Sequence, residues 1–115
     1  MIIGIHKNRL PILLDNELKI YTEILKYNKI EFIELDCSDP GFWSKVRKVN
    51  FFIYKWGHDH HSRQKALSII PVIEKLNIKC FPDIATCWHY DDKVKQYYLL
   101  RENGFPVTDT FIFWE

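Results

Sequence analysis

Apolar runs and polar breaks alternate along the first 90 residues of the chain. Short runs rich in β-branched and aromatic residues at 1–5, 30–35, 51–54 and 78–81 predict four β-strands, with 51–54 as a central strand. Segments with apolar residues every three or four positions separate these runs and predict helices. This order predicts parallel βαβ units with right-handed crossovers, and therefore a three-layer, parallel-sheet α/β domain of the Rossmann or flavodoxin-like type.

Two helices are predicted before the third strand. The first begins at residue 15 or 16, which can cap it, and ends near residue 27. Its predicted inner face comprises Ile20, Tyr21, Ile24 and Leu25. The second begins at Asp39 and Pro40, a cap followed by proline at the first helical position, and ends near residue 48. We expect Trp43 and Val46 to face the core.

A third helix is predicted between the third and fourth strands. Ser62 can cap it, and Pro71 lies inside it, where proline removes a backbone donor and favours a kink or a restart. Its predicted apolar positions are Ala66, Leu67, Ile70, Ile73 and Leu76.

Charge and cysteine content narrow the class of protein. The 16 Lys and Arg against 15 Asp and Glu leave no net field that would attract nucleic acid or an anionic membrane. The N-terminus lacks the features of a signal peptide, and no apolar run is long enough to span a membrane, so we expect a cytoplasmic protein. Cys37, Cys80 and Cys87 are odd in number and form no CxxC pair, which favours reduced thiols.

Ligands of parallel α/β sheets bind beyond the carboxyl ends of the strands. The loops that matter are therefore 6–9, 56–61 and 83–89, and we expect the first two to lie close together. No GxGxxG or GxxxxGK[ST] motif follows the first strand, which disfavours a dinucleotide fold or a P-loop. A small-molecule acceptor would be held here, with Lys7 and His58 orienting an anionic one and Gly57 allowing close backbone approach or a positive φ. The predicted substrate-binding residues are Lys7, Asn8, Trp56, Gly57 and His58.

The last 30 residues carry the most specific pattern. Asp91 and Asp92 precede Lys93 and can cap a helix that Gly104 closes, and an apolar strand is predicted over 110–114. The order DDKxxxxxLLxxxGxPVxxTxxF resembles the junction in ATP-grasp ligases where the N-terminal substrate domain meets the first ATP-binding lobe. The matching stretch covers about a quarter of the chain.

The resemblance implies a pre-ATP-grasp domain over 1–90, followed by the first helix and strand of an incomplete ATP-grasp lobe over 91–115. It also implies that Lys93 contacts the phosphates of ATP, and that the intact enzyme uses ATP and Mg²⁺ to ligate a carboxylate to an amine or similar nucleophile. With 115 residues the chain is far shorter than a complete ligase. We therefore expect a fragment that is inactive alone and binds no cofactor tightly.

Two other interpretations remain open. A stand-alone flavodoxin-like binding or interaction module would need none of the later ATP-binding residues. A small metal-dependent enzyme could use the imidazole and carboxylate groups of residues 58–61, although neighbouring residues in a loop rarely converge on one metal. The predicted strand over 110–114 has no following partner and invites self-association through its unpaired backbone.

Overall fold

A computed structural model describes residues 1–7, 13–55, 57 and 59–114 of the chain. Its four strands are β1 (Ile2–His6), β2 (Glu31–Leu35), β3 (Phe51–Ile53) and β4 (Lys79–Phe81). Its helices are α1 (Leu13–Tyr27), α2 (Phe42–Val46), α3 (His60–Lys75), α4 (Ile84–Cys87) and α5 (Lys93–Glu102). The contacts divide the chain into two compact units, Met1–Ile84 and Ala85–Glu115.

The first unit contains a sheet of four parallel strands in the order β2-β1-β3-β4. β1 lies in the middle and pairs with both β2 and β3, so the chain crosses from one side of β1 to the other between those strands. β3 is an internal strand, as its aromatic and β-branched sequence predicted. The predicted parallel α/β class is confirmed.

One face of the sheet packs against α1. Ile3 and Ile5 of β1 are buried there with Leu25 of α1, and Leu18 packs against the same cluster. The predicted inner face of α1 was therefore wrong in part. Its exposed apolar positions are Ile20, Tyr21, Ile24 and Tyr27. Periodicity alone did not separate this outer stripe from the inner one, because both carry apolar residues at helical spacing.

Side chains of successive strand residues point to opposite faces, so Phe52 projects to the other side from its neighbours. Phe52 is fully buried and makes an edge contact with Phe42 of α2, with ring centroids 6.0 Å apart. Gly4 lies beside it, and a Cβ there would come within 2.8 Å of a Leu35 methyl carbon. The buried residues of α2 are Phe42 and Val46. Val46 was predicted to face the core, but the aromatic residue that does so is Phe42 and not the predicted Trp43.

α3 begins three residues earlier than predicted. Asp59 is its N-cap, and the Asp59 carboxylate accepts hydrogen bonds from the Ser62 backbone N–H at 2.9 Å and the Ser62 hydroxyl at 2.6 Å. Ser62 therefore donates to the cap instead of forming it. Pro71 lies inside the helix, which continues to Lys75.

The second unit contains α5, whose two ends match the sequence prediction. Asp92 caps its start by accepting from the Lys95 backbone N–H at 3.0 Å. At its end Gly104 has φ +74°, and the amide of Phe105 donates to the Leu100 carbonyl at 3.0 Å. That bond and the one from the Gly104 amide to the Arg101 carbonyl, also 3.0 Å, form a Schellman motif, which needs a left-handed residue and so favours glycine.

Residues 105–114 form neither helix nor strand. The predicted strand over 110–114 is therefore wrong in this structure. A strand requires a neighbouring strand to complete its hydrogen bonds, and the apolar sequence alone supplies none. The aromatic side chains of Phe111, Phe113 and Trp114 are instead exposed.

Candidate ligand-binding edge of the sheet

Polar side chains from three strands meet at the carboxyl edge of the sheet. His6 ends β1, Cys37 follows β2 by two residues, and Tyr54 directly follows β3. β1 lies between the other two strands and is parallel to both, so all three strands end at the same edge. Parallel sheets of this order bind their ligands at this edge, where the chain reverses direction around β1.

His6 and Tyr54 lie side by side at the ends of the neighbouring strands β1 and β3, one residue beyond the paired Ile5 and Ile53. Their rings stack with centroids 4.5 Å apart and an interplanar angle of 10°. His6 is 6% exposed and Tyr54 is 2% exposed.

The ring of His6 is held by two polar contacts. Its Nδ1 lies 3.3 Å from the carbonyl oxygen of Leu35 and 3.2 Å from the sulfur of Cys37. A carbonyl oxygen can only accept, so the first contact requires the hydrogen of the neutral ring to be on Nδ1. The same carbonyl also accepts from the Lys7 backbone N–H. These bonds fix the orientation of the imidazole.

The three side chains are uncharged near neutral pH. Burial lowers the pKa of His6 from its ordinary 6.5 to about 4 and raises the pKa of the Cys37 thiol to about 12. Burial, together with the nearby Cys37 and Asp59, also raises the pKa of Tyr54. A cysteine nucleophile needs a readily formed thiolate, so this arrangement does not favour covalent catalysis by Cys37.

Gly57 lies where the chain passes from β3 to α3, against the capped start of the helix. A Cβ on Gly57 would lie 2.6 Å from the Ser62 Cβ and 2.9 Å from a carboxylate oxygen of Asp59. The predicted close backbone approach is present, but its partner is the start of α3, and its φ is not among the positive values. Glycine is therefore required here by packing.

Lys65 extends from the second turn of α3 to the loop after β2. Its Nζ donates to the Ser38 hydroxyl at 2.6 Å, a contact between residues 27 positions apart. Burial has the largest effect on the pKa of both His6 and Cys37; the charge of Lys65 acts to lower each pKa and the charge of Asp36 acts to raise it. A cation and a hydroxyl group therefore stand beside the neutral cluster at this edge.

The structure describes only two of the five predicted substrate-binding residues, Lys7 and Gly57. Lys7 follows β1 at the predicted edge, and its Nζ lies 3.9 Å from a carboxylate oxygen of Glu34. It lines a shallow cleft of about 310 Å³ beside Leu18 and Thr22 of α1, on the face opposite Phe52. The other three predicted residues, Asn8, Trp56 and His58, lie outside the described residues.

The structure places Lys93 at the first residue of α5, in the second unit. Its side chain is exposed, and its Nζ donates to the Gln96 side-chain oxygen at 3.4 Å. Asp92 forms the cap directly before it, whereas Asp91 has φ +52° and is not the cap residue. This geometry leaves the Lys93 ammonium free to contact solvent at the start of the helix.

Sequence reasoning missed most of the observed cluster. His6 was placed in a loop, Cys37 was interpreted only as a thiol, and Tyr54 was assigned to a strand. Their common position, within two residues of a strand's carboxyl end, was a usable signal. Nothing in the spacing of Ser38 and Lys65 indicated their contact, because it depends on how α3 packs.

Metal binding and membrane spanning each require a particular set of residues. Across 1–7, 13–55, 57 and 59–114, no three His, Cys, Asp or Glu side chains are grouped closely enough to hold a metal ion. His60 and His61 belong to the first turn of α3 rather than to the predicted loop. None of the described helices has the length and apolar content needed to cross a membrane.

No family model matches the chain, and no curated protein or solved structure matches it. The resemblance to ATP-grasp ligases therefore depends on the residues of the C-terminal pattern alone.

Proposed function

We propose that the chain is the substrate-binding, pre-ATP-grasp part of an ATP-grasp ligase, joined to the start of its ATP-binding lobe. The observation that carries this proposal is the convergence of His6, Cys37, Tyr54 and Lys65 at one edge of a parallel sheet. Ligands bind at this edge in parallel α/β domains. The DDK pattern and the Gly104 helix end supply the ATP-grasp part of the proposal.

A three-layer arrangement of the sheet domain belongs to the same proposal. It is supported by α1 packing on the face that contains Ile3, and by the contact of Phe42 in α2 with Phe52. Those two strand residues project from opposite faces.

The proposed reaction divides between the two units. The intact enzyme uses Mg-ATP to phosphorylate a carboxylate, forming an acyl phosphate and ADP, and an amine or similar nucleophile then displaces the phosphate. The edge formed by β1, β2 and β3 holds the acceptor, while Lys93 contacts the ATP phosphates as a point charge at a helix start. The cytoplasm, where ATP is plentiful, is the compartment that fits this reaction.

The stacked rings of His6 and Tyr54 favour a small acceptor over a nucleotide at the sheet edge. They stack on each other at the ends of β1 and β3, and both are nearly fully buried. A nucleotide base or flavin would have to displace them and lose their stacking. The acceptor therefore binds above this pair, close to Ser38 and Lys65.

The nucleotide part of the proposal is tested by titrating Mg-ATP into the 115-residue chain in a calorimeter. We expect no binding with micromolar affinity, because Lys93 is the single phosphate contact that the resemblance implies within the chain. Micromolar affinity for Mg-ATP would contradict the assignment of the remaining phosphate contacts to a later lobe.

A second candidate function is a stand-alone flavodoxin-like binding module, and the strand order β2-β1-β3-β4 favours it specifically. Sheets of this order hold small ligands at the β1/β3 crossing without any ATP-binding lobe. The two candidates differ in whether the complete gene product releases ADP from Mg-ATP. The module predicts no release, and the ligase predicts release that depends on an acceptor.

A further inference from the structure

We propose that the outer stripe of α1 is the surface on which a second copy of this chain docks, with the two α1 helices antiparallel. The outer stripe comprises the exposed apolar side chains of Ile20, Tyr21, Ile24 and Tyr27. These residues recur every three or four positions, so they form one continuous band along the helix. The inference uses the first unit alone and is independent of the ligase proposal.

The outer stripe is separate from the face that holds α1 on the sheet. Leu25 is buried with Ile3 and Ile5 of β1, and Leu18 packs against the same cluster. Successive residues of an α-helix are about 100° apart around its axis, so Ile24 points well away from Leu25. α1 therefore has two apolar faces, and the core of its own domain covers one of them.

The size of the outer stripe sets the strength of the expected contact. Tyr27 is 88% exposed, and Ile20 and Ile24 are 54% and 52% exposed. With Tyr21, these fractions leave roughly 400 Å² of apolar surface, taking about 150–250 Å² for a large side chain. Two copies would bury about 800 Å² in total, which is less than the roughly 1,200 Å² of a stable complex. We therefore expect a weak dimer, with a Kd on the order of 100 µM or above.

The charges beside the outer stripe favour a second copy in the antiparallel direction. Lys19 and Glu23 lie four residues apart, and so on the same side of the helix. A twofold axis midway between Ile20 and Ile24 places Ile20 of each copy against Ile24 of the other. It also places Lys19 of each copy near Glu23 of the other, because an isologous contact repeats each interaction twice. In a parallel pair the like charges would lie level with each other, which disfavours that direction.

The other charges near this border are compensated within each copy. Glu17, three residues before the outer stripe, forms an ion pair with Lys55. Beside Lys19, Lys7 and Glu34 form an ion pair at 3.9 Å and line the same shallow cleft. Across the part of the chain that the structure describes, no carboxylate lies at ion-pair distance from Lys19. Its charge is therefore available to a carboxylate of the second copy.

Sedimentation equilibrium of the 115-residue chain, from about 10 µM to 1 mM, tests the dimer. We expect a monomer–dimer equilibrium, with the amide NMR signals of residues 20–27 shifting on dilution. Ile24→Glu buries an unpaired charge in the contact and should weaken the dimer about tenfold or more. Val72→Glu is the matched control, because Val72 is an exposed aliphatic residue of α3, and it should leave the Kd unchanged.

Charge reversal tests the antiparallel direction. At low ionic strength Lys19→Glu and Glu23→Lys each bring like charges together across the contact, and each should weaken the dimer by about threefold. An equimolar mixture of the two variants regains both Lys–Glu pairs and should associate more tightly than either variant alone. The control is Lys26→Glu, which makes the same change two residues after Ile24 and so on the far side of the helix, and should leave the Kd unchanged.

A chain that stays monomeric at about 1 mM would overturn the inference, as would a wild-type Kd in Ile24→Glu. Association that survives Ile24→Glu but is lost in the double variant Phe111→Ser, Phe113→Ser would place the contact at the C-terminal aromatic residues and overturn it as well. A mixture of Lys19→Glu and Glu23→Lys that associates no better than either variant alone would reject the antiparallel arrangement.

Discussion

The two compact units use their apolar residues in opposite ways. In Met1–Ile84, Phe52 is fully buried between a helix and the neighbouring strands, and most of the apolar core of the chain lies in this unit. Within the described part of the second unit, Cys87 is the one buried residue, and Phe113 is 87% exposed. The difference indicates that the first unit has an apolar core of its own, whereas the described part of the second unit leaves large aromatic side chains exposed.

The lack of a core in the second unit does not come from a poorly defined helix. α5 has a side-chain cap at Asp92 and a glycine-based end at Gly104. Capping signals need only neighbouring residues, whereas a buried core needs a second surface. The helix of the second unit therefore has well-defined ends but little buried apolar surface. We expect this unit to gain stability from another lobe or another chain.

The largest expected effect compares one substitution in both units. Phe52→Ala empties a fully buried site and should lower the free energy of unfolding by about 3–5 kcal/mol. Phe113→Ala removes the same side chain from an exposed position and should change that energy by less than about 0.5 kcal/mol. Urea denaturation followed by circular dichroism measures both. Equal losses would abolish the distinction between the units.

The second expected effect is a pH dependence of stability that comes from the buried His6 of the first unit. Because the pKa of His6 falls from 6.5 to about 4 in the folded protein, the unfolded chain binds more protons between those values. The contribution to stability is complete above pH 6.5 and is lost as the pH falls towards 4, by on the order of 3 kcal/mol.

The control for that pH dependence is His6→Phe, which retains an aromatic ring against Tyr54 but cannot be protonated. Urea denaturation at several pH values should show a flatter dependence between pH 6.5 and 4 in this variant than in the wild type. Parallel curves for the two proteins would show that His6 is protonated in the folded state as readily as in the unfolded chain.

The smallest effect concerns the start of α5. Asp92→Ala removes the acceptor of the Lys95 backbone N–H and should destabilise the helix by about 1 kcal/mol. Faster hydrogen exchange of the α5 amides, with unchanged exchange in β1, would measure this local loss. Asp92→Asn should preserve most of the protection, because asparagine also caps helices. Faster exchange of the β1 amides to the same extent in Asp92→Ala would contradict a local loss confined to α5.

The sequence was informative about features that depend on neighbouring residues. The runs at 1–5 and 51–54 and the pair Asp92 and Gly104 were located correctly, because strand pattern and caps are local. The strand over 110–114 and most of the inner face of α1 were not, because burial depends on which surface packs against them. For the same reason, the contact between Lys65 and Ser38 could not be predicted from residues 27 positions apart.

The central proposal is that the first unit binds the acceptor and the second contributes a phosphate contact. The most direct test is ADP release by the complete gene product, assayed with Mg-ATP and a panel of carboxylic acids. Lys65→Gln should raise the KM for the acceptor by about tenfold or more and leave the KM for ATP unchanged, and Lys93→Ala should do the opposite. Absence of acceptor-dependent ADP release, or variants that raise the KM of the other substrate, would contradict the account.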